Sequence, residues 1–182
     1  MQILSYILSV LGLVSMVLAS MIKGQNMKKI LFFVFCGNFL VATSYLIGGS
    51  GINGAAACYL GSVQSIINYF FDSKNKPLPA WLIALYAVAI IAVNIWVAGG
   101  ITPLGILVIV ASLTFILCIG QKNGAKYRFW TIVNMILWCT YDILSKSFGA
   151  IITHAVLLLF TVVGMLVNDT KVLKSEKIKK II

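Results

Sequence analysis

The chain has 182 residues, of which 61% are hydrophobic and 10% are charged. This composition excludes an ordinary soluble domain. The formal net charge is +10, with 14 basic residues against 4 acidic ones. Such a balance can indicate nucleic-acid binding, but the cations here are confined to alternate loops and to the C-terminal end, as in membrane proteins. We therefore expect an integral membrane protein that binds no nucleic acid.

Glycine, proline and charged residues divide the apolar sequence into seven runs of about 20 residues, the length that crosses ~30 Å of hydrocarbon. The first run lacks a basic N-terminal region, so we interpret it as a span and not as a cleaved signal peptide. The short loops leave no room for a separate soluble domain. The predicted spans are residues 2–22, 30–48, 52–71, 80–98, 101–119, 129–147 and 149–167.

The placement of positive charge predicts the orientation of these spans. The second and fourth loops carry no charge, whereas the first, third and fifth loops and the tail are basic. The positive-inside rule then puts the N-terminus outside and the C-terminus in the cytoplasm, where anionic lipid headgroups attract a basic tail. Thirteen of the 14 cations follow this placement: Lys23, Lys28 and Lys29, then Lys74 and Lys76, then Lys122, Lys126 and Arg128, and finally Lys171, Lys174, Lys177, Lys179 and Lys180. The remaining one, Lys146, lies near the end of the sixth predicted span.

One spaced pattern occurs twice, 96 positions apart: Gly24-Gln25, Phe33, Asn38 and Tyr45 recur as Gly120-Gln121, Phe129, Asn134 and Tyr141. Such self-similarity indicates a duplicated architecture. We predict an all-α membrane protein of seven transmembrane helices, built as two parallel three-helix repeats joined by a linker helix (3+1+3). Because one helix intervenes, both repeats cross the membrane in the same direction. The predicted boundaries are 1–71, 72–100 (loop and linker helix), 101–167, and 168–182 (basic cytoplasmic tail).

Amides inside the predicted spans are the candidate binding groups. A polar group in hydrocarbon must find a partner, so these amides either tie helices together or line a polar cavity between the repeats. Their symmetric placement beside aromatic residues favours a cavity for a flat or ring-shaped solute. The predicted substrate-binding residues are Asn38, Tyr45, Gln64, Asn68, Asn134, Trp138 and Tyr141.

Two ionisable residues are candidates for proton coupling. Asp142 is the one carboxylate within a predicted span, and intramembrane ionisable residues are functional candidates by default. His154, near the external end of the last span, has a side chain that titrates near neutral pH. Lys146 follows Asp142 by four residues, the spacing of an ordinary surface ion pair, and this alternative stays open.

Little in the sequence indicates an enzyme or a metal site. The four cysteines lie in four different spans without CxxC spacing, so we expect no disulfide framework, metal or cofactor. Gly48-Gly49-Ser50-Gly51 fits the short GxSG string of rhomboid proteases, with His154 as a conceivable base. The residues after His154 lack the surrounding protease motif, so an intramembrane serine protease is a remote alternative.

The chain resembles the YgjV family of bacterial inner membrane proteins, and its 3+1+3 plan is similar to that of the SWEET sugar transporters and the PnuC vitamin transporters. The resemblance is carried by the two Asn-x6-Tyr pairs, by Gly-Ser-Val-Gln-Ser-Ile-Ile-Asn-Tyr at 61–69, and by Phe-Trp-Thr-Ile-Val-Asn at 129–134. SWEETs carry prolines deep in their spans. Here Pro77, Pro79 and Pro103 lie elsewhere, so the PnuC-like side is nearer. The resemblance implies the fold, the inner membrane and a transport role.

We therefore expect a facilitator or carrier of a small, mostly uncharged polar solute such as a vitamin, nucleoside or sugar. The alternative is a non-transporting membrane receptor or scaffold on the same fold. Such a protein would recognise lipid or a protein partner through its basic tail and the loop at 72–79. Whether the protein forms a homo-oligomer stays open.

Overall fold

The structure is a computed structural model that describes residues 2–23, 26–48, 52–146 and 148–179. The side chains of 52, 53, 98, 148, 149 and 170–179 lie outside that description. Within the described residues the chain forms seven α-helices, which confirms the prediction of an all-α protein. They are α1 (Gln2–Met21), α2 (Met27–Gly48), α3 (Ile52–Ser73), α4 (Ala80–Ala98), α5 (Pro103–Ile119), α6 (Gly124–Leu144) and α7 (Phe148–Lys179).

Local capping explains where several helices begin and end. Thr102 caps α5 by accepting a hydrogen bond from the Gly105 backbone N–H at 3.0 Å, and a proline follows it in the first turn, where the missing N–H does no harm. Asn123 caps α6 by accepting from the Ala125 backbone N–H at 2.8 Å. Helix α4 ends at Gly99, whose φ of 68° is the left-handed conformation that glycine adopts without strain.

Four helical segments are long and apolar enough to cross a membrane: α1, α2, residues 80–97 of α4, and residues 150–169 of α7. Helix α5 is apolar but shorter, with 17 residues. Helix α6 begins at Gly124, ahead of the predicted span at 129–147, and α7 runs to Lys179 through the segment that we predicted as a separate tail. The chain therefore has the helices of a membrane protein, and α2, α3, α6 and α7 are longer than the predicted spans.

The helices pack in two neighbouring groups. Helix α2 lies between α1 and α3, and α6 lies between α5 and α7. The groups meet where α1 packs on α7 and where α3 packs on α5, and α4 lies against α3 and α5. Large apolar side chains cover the outside, as lipid contact requires. Strongly exposed examples are Ile3, Tyr6, Trp81, Trp96 and Ile101.

A buried core closes the bundle at the end where α1 and α5 finish and α2 and α6 begin. Its members are Ala19, Met27, Ile30, Leu31, Val34, Cys118, Ile119 and Tyr127. The backbones of α1 and α7 approach closely beside it, because Gly164 has no side chain. A Cβ atom at Gly164 would clash with the carbonyl oxygen of Ser20. The Ser20 hydroxyl also bonds to the Thr161 hydroxyl at 3.0 Å, so this α1–α7 seam is both tight and polar.

A buried ion pair stabilises the packing of the helices at the same end of the bundle. Arg128 of α6 is fully buried, and its Nε donates to Oδ2 of Asp169 in α7 at 2.9 Å, while a second guanidinium nitrogen pairs with Oδ1. The third nitrogen donates to the Ile22 carbonyl oxygen, just after α1, at 3.0 Å. The sequence-based prediction that Arg128 lies in a basic loop was therefore wrong. Asp169 neutralises the charge of Arg128 inside the bundle. The hydrogen bonds of Arg128 connect α6 to α7 and to the end of α1.

Candidate functional site

A cavity of about 140 Å³ lies inside the bundle, and all seven helices contribute to its wall. Most of the lining side chains are apolar or aromatic. The polar side chains in the wall are Asn38, Gln64, Asn94, Ser112, Thr131, Asn134, Thr153 and His154. A largely apolar pocket with a few converging polar groups is the usual form of a small-molecule site.

Three of these side chains hold buried polar atoms without a hydrogen-bond partner among the described residues. The atoms are Nδ2 of Asn38, both Nε2 and Oε1 of Gln64, and Oγ of Ser112. The three residues are only 7%, 2% and 7% exposed. A buried donor or acceptor without a partner costs about 1–3 kcal/mol, and native proteins contain few of them. Four such atoms around one cavity indicate a place for a bound molecule.

The other amides of the wall are already bonded to protein. Asn134 of α6 donates from Nδ2 to the Ala111 carbonyl oxygen of α5 at 2.5 Å, with a longer contact of 3.5 Å to the Thr114 hydroxyl. Asn94 donates to the carbonyl oxygen of Ile90 on its own helix at 2.8 Å. Asn134 thus ties α5 to α6, while Asn38, its counterpart in the repeated pattern, has a donor with no partner in the described part of the chain.

Aromatic rings form the wall at the end opposite the buried core, and one of them, His154, contacts an aspartate outside the lining. The Trp138 indole stacks on the His154 imidazole, with ring centroids 5.5 Å apart and an interplanar angle of 24°. His154 Nδ1 lies 2.6 Å from Oδ2 of Asp142, which is 2% exposed. The contact that we considered between Asp142 and Lys146 is thus replaced by one with His154, because Lys146 lies exposed beyond the end of α6 with a φ of 57°.

The sequence model of a protein family described as "Bacterial inner membrane protein" (Imp-YgjV) matches residues 3–169, nearly all of the chain. The chain belongs to the YgjV family. This confirms the family resemblance and the bacterial inner membrane location. No curated protein and no solved structure matches the chain.

In this YgjV-family protein, five of the seven predicted binding residues line the cavity: Asn38, Tyr45, Gln64, Asn134 and Trp138. Tyr45 lies over α3 at Gly54, where a Cβ atom would be 3.0 Å from its ring. These five residues come from α2, α3 and α6. Residues that are far apart in the sequence therefore line one cavity.

The other two predicted residues lie outside the lining. Asn68 donates to the Ile119 carbonyl oxygen at 3.0 Å and accepts from the Tyr86 hydroxyl at 3.1 Å, so its amide holds α3 against α5 and α4. It shares a face with Gln64 but lies one turn nearer the core end. Tyr141 packs edge-on against the Trp138 ring, with centroids 5.7 Å apart, and so supports the wall from behind.

Sequence reasoning did not single out several cavity residues, and three of them are informative. Ser112 and Phe115 come from α5, and Asn94 comes from α4, the helix that we interpreted as a connector. The signal for Ser112 was weak, because serine in a membrane helix usually bonds to its own backbone. Asn94 offered a better signal as the one amide in an otherwise apolar helix.

The protease-like string at 48–51 falls largely outside the described residues, so its geometry stays untested. The conceivable base, His154, uses Nδ1 for the contact with Asp142 and stacks on Trp138. The roles of Asp142 and His154 in proton coupling stay predictions. His154 lines the aromatic end of the cavity wall, and Asp142 contacts it from outside the lining.

Proposed function

We propose that this protein is a carrier of a small, mostly uncharged polar solute that binds in the central cavity. The observation that supports this function best is the set of four unpartnered atoms on Asn38, Gln64 and Ser112. Amides with only a structural role would be bonded to protein, as Asn134 is. A bound solute would supply the missing partners.

The packing supports the predicted 3+1+3 plan, in which α1–α3 form a first unit, α5–α7 a second unit, and α4 the linker. Exchanging the units turns the α1–α7 contact into the α5–α3 contact, and both contacts occur. Each contact also carries an asparagine from the third helix of one unit. Asn68 donates to the Ile119 carbonyl oxygen at the end of α5. Asn168 donates to the Met21 carbonyl oxygen at the end of α1. This correspondence is what a two-fold axis along the membrane normal produces.

Carriers of this plan work by rocking one unit against the other around a fixed site. In this conformation the units are joined at the core end by Asn68, by Asn168 and by the hydrogen bond from Arg128 to the Ile22 carbonyl oxygen. Near the opposite end, the Ser5 hydroxyl donates to the Ser44 carbonyl oxygen within the first unit, and Asp142 contacts His154 within the second. With the predicted orientation, the protein is closed towards the cytoplasm. The next step of the transport cycle would open the bundle at the core end.

The test is solute flux through purified protein in liposomes, measured with a panel of radiolabelled neutral vitamins, bases and sugars. We expect Gln64→Leu and Asn38→Leu each to abolish flux of the best-transported solute while the protein stays folded. Val63→Leu, on the exposed neighbouring position of α3, is the matched control and should transport normally. If flux survives in both cavity variants, the carrier proposal fails.

A non-transporting receptor is the second candidate, and the continuous course of α7 to Lys179 favours it. A helix that leaves the membrane without a break can transmit a change at the α1–α7 seam to a cytoplasmic partner. Deletion of residues 172–182 separates the two functions. A receptor loses its cellular phenotype on this deletion, whereas a carrier keeps its flux in liposomes.

A further inference from the structure

The cavity volume limits the size of the ligand. An engineered apolar cavity of about 150 Å³ in another protein holds one benzene molecule, and the cavity here measures about 140 Å³. A nucleoside or a disaccharide has two ring systems and exceeds that volume. A monosaccharide has the right size but carries a hydroxyl on nearly every ring carbon, whereas four buried atoms here lack partners. The site therefore suits a single ring with few polar groups.

The Gln64 side chain determines which polar groups that ring should carry. Its Nε2 is a donor and its Oε1 an acceptor, and both are buried without a partner among the described residues. A carboxamide with both atoms free is satisfied by one molecule with an acceptor and a donor on adjacent atoms. A cyclic amide (lactam), in which C=O and N–H point the same way, has this arrangement. The edge of a pyrimidine base has it as well.

Gly61 provides the space beside that amide. Gly61 precedes Gln64 by one helical turn, about 4.5 Å along the axis. A Cβ atom at Gly61 would lie 3.4 Å from Nδ2 of Asn38 and 3.1 Å from Cε1 of Phe115. Asn38 and Phe115 thus face the same turn of α3, one with an unpartnered donor and the other with an aromatic ring. Ser112 lies one turn before Phe115 on α5 and adds the unpartnered hydroxyl.

We propose that the cavity binds a neutral, single-ring heterocycle with a lactam edge. Gln64 pairs with that edge through two hydrogen bonds, Asn38 and Ser112 bond to a further oxygen on the ring, and Phe115 packs against the ring. This inference rests on the proposed carrier function and specifies its substrate class. It excludes nucleosides and disaccharides as cargo of this cavity.

The experiment compares 2-pyridone and uracil with N-methyl-2-pyridone and 1,3-dimethyluracil, using calorimetry on the purified full-length protein in detergent. N-methylation keeps the ring and the carbonyl groups but removes the N–H donor. We expect the methylated compounds to bind at least tenfold more weakly, because the buried Oε1 of Gln64 loses its partner. Equal affinity for the methylated and unmethylated rings would overturn the proposal.

Two variants test the assigned geometry. Gln64→Met keeps the side-chain length and removes both hydrogen-bonding atoms, so it should abolish the preference for 2-pyridone over N-methyl-2-pyridone. Gly61→Ala should weaken uracil binding by filling the space between Asn38 and Phe115. Val63→Met is the control, and thermal unfolding shows whether each variant is folded. Wild-type affinity for 2-pyridone in folded Gln64→Met would overturn the proposal.

The outcome also separates this inference from the carrier function. If liposomes show Gln64-dependent flux of another solute while the lactams do not bind, the substrate class is wrong and the carrier proposal stands. If uracil binds with the expected preference but no solute crosses the membrane, the binding site stands and the carrier proposal fails.

Discussion

Asn134 donates its amide to the Ala111 carbonyl oxygen at 2.5 Å, whereas Asn38, at the equivalent position of the repeated pattern, buries an amide nitrogen without a partner in the described part of the chain. Two asparagines at equivalent positions of the spaced pattern therefore differ in hydrogen bonding. One amide stabilises the contact between neighbouring helices. The other is available to a ligand at a cost to the stability of the empty protein.

Leucine substitutions at these two positions should have opposite effects on stability. Asn134→Leu removes the α5–α6 hydrogen bond, while the Ala111 carbonyl oxygen still accepts from the Thr114 hydroxyl, so the free energy of unfolding should fall by about 0.5–1.5 kcal/mol. Asn38→Leu removes an unpartnered donor, so we expect unchanged or higher stability. Unfolding in detergent, followed by circular dichroism, measures both. A larger loss in Asn38→Leu than in Asn134→Leu would contradict the assignment.

The Arg128–Asp169 pair gives a second prediction about stability. Removing one member of a buried ion pair leaves an uncompensated charge, which typically costs about 3–5 kcal/mol. We expect losses of this order for Arg128→Met and for Asp169→Leu. The double variant should be much closer to the wild type, because buried pairs are often replaceable by apolar residues of similar volume. A double-mutant cycle checks this. If the losses of the two single variants add up in the double variant, pairing with Asp169 does not stabilise the buried Arg128.

Much of the architecture could be predicted from the sequence, because the features that determine it are local. Span length, the polar breaks and the Thr102 and Asn123 caps lie within a few residues of what they control. The wall residues Asn38 and Gln64 could also be predicted, because an amide within an apolar run is conspicuous. What the local pattern could not give is which amides would find partners.

The errors arose where long-range contacts decide the outcome. The local sequence predicts that Arg128 is one more loop cation, because its partner Asp169 lies 41 residues later in the chain. Asn68 shares a face with Gln64, yet its distance along α3 brings it to the end of α5 and away from the cavity. Ser112 has no sequence signal that distinguishes it from serines that bond to their own helix. These assignments need the packing between helices.

The close approach at Gly164 gives a third prediction. A methyl group at this position would clash with the carbonyl oxygen of Ser20, which belongs to backbone and cannot rotate away. We expect Gly164→Ala to lower the free energy of unfolding by about 1–3 kcal/mol, the usual effect of overpacking. Val163→Ala, at the neighbouring and more exposed position, should have a smaller effect. Equal thermal stability of wild type and Gly164→Ala would show that α1 and α7 are not in close contact there.

The predicted orientation can be tested with single cysteines on a background in which the four native cysteines are replaced. Lys74→Cys lies in the charged loop between α3 and α4, and Ile101→Cys lies in the uncharged loop between α4 and α5. Because positively charged loops stay in the cytoplasm, a membrane-impermeant maleimide should label Ile101→Cys on intact cells and Lys74→Cys only after permeabilisation. The reverse labelling would invert the topology and place the closed end of the cavity outside.

The contact between Asp142 and His154 predicts a coupled effect on stability and transport. His154→Phe keeps an aromatic ring for stacking on Trp138 but removes the hydrogen-bond partner of the buried Asp142 side chain, so this variant should be destabilised by about 1–3 kcal/mol. Adding Asp142→Asn exchanges the carboxyl group for a neutral amide and should reduce that loss. Unfolding in detergent at neutral pH measures the cycle.

If the pair also carries a proton, substrate addition to liposomes loaded with a pH-sensitive dye will acidify the lumen for the wild type. The double variant will then exchange substrate without any change in luminal pH, and proton movement that persists in it would assign the coupling to other residues.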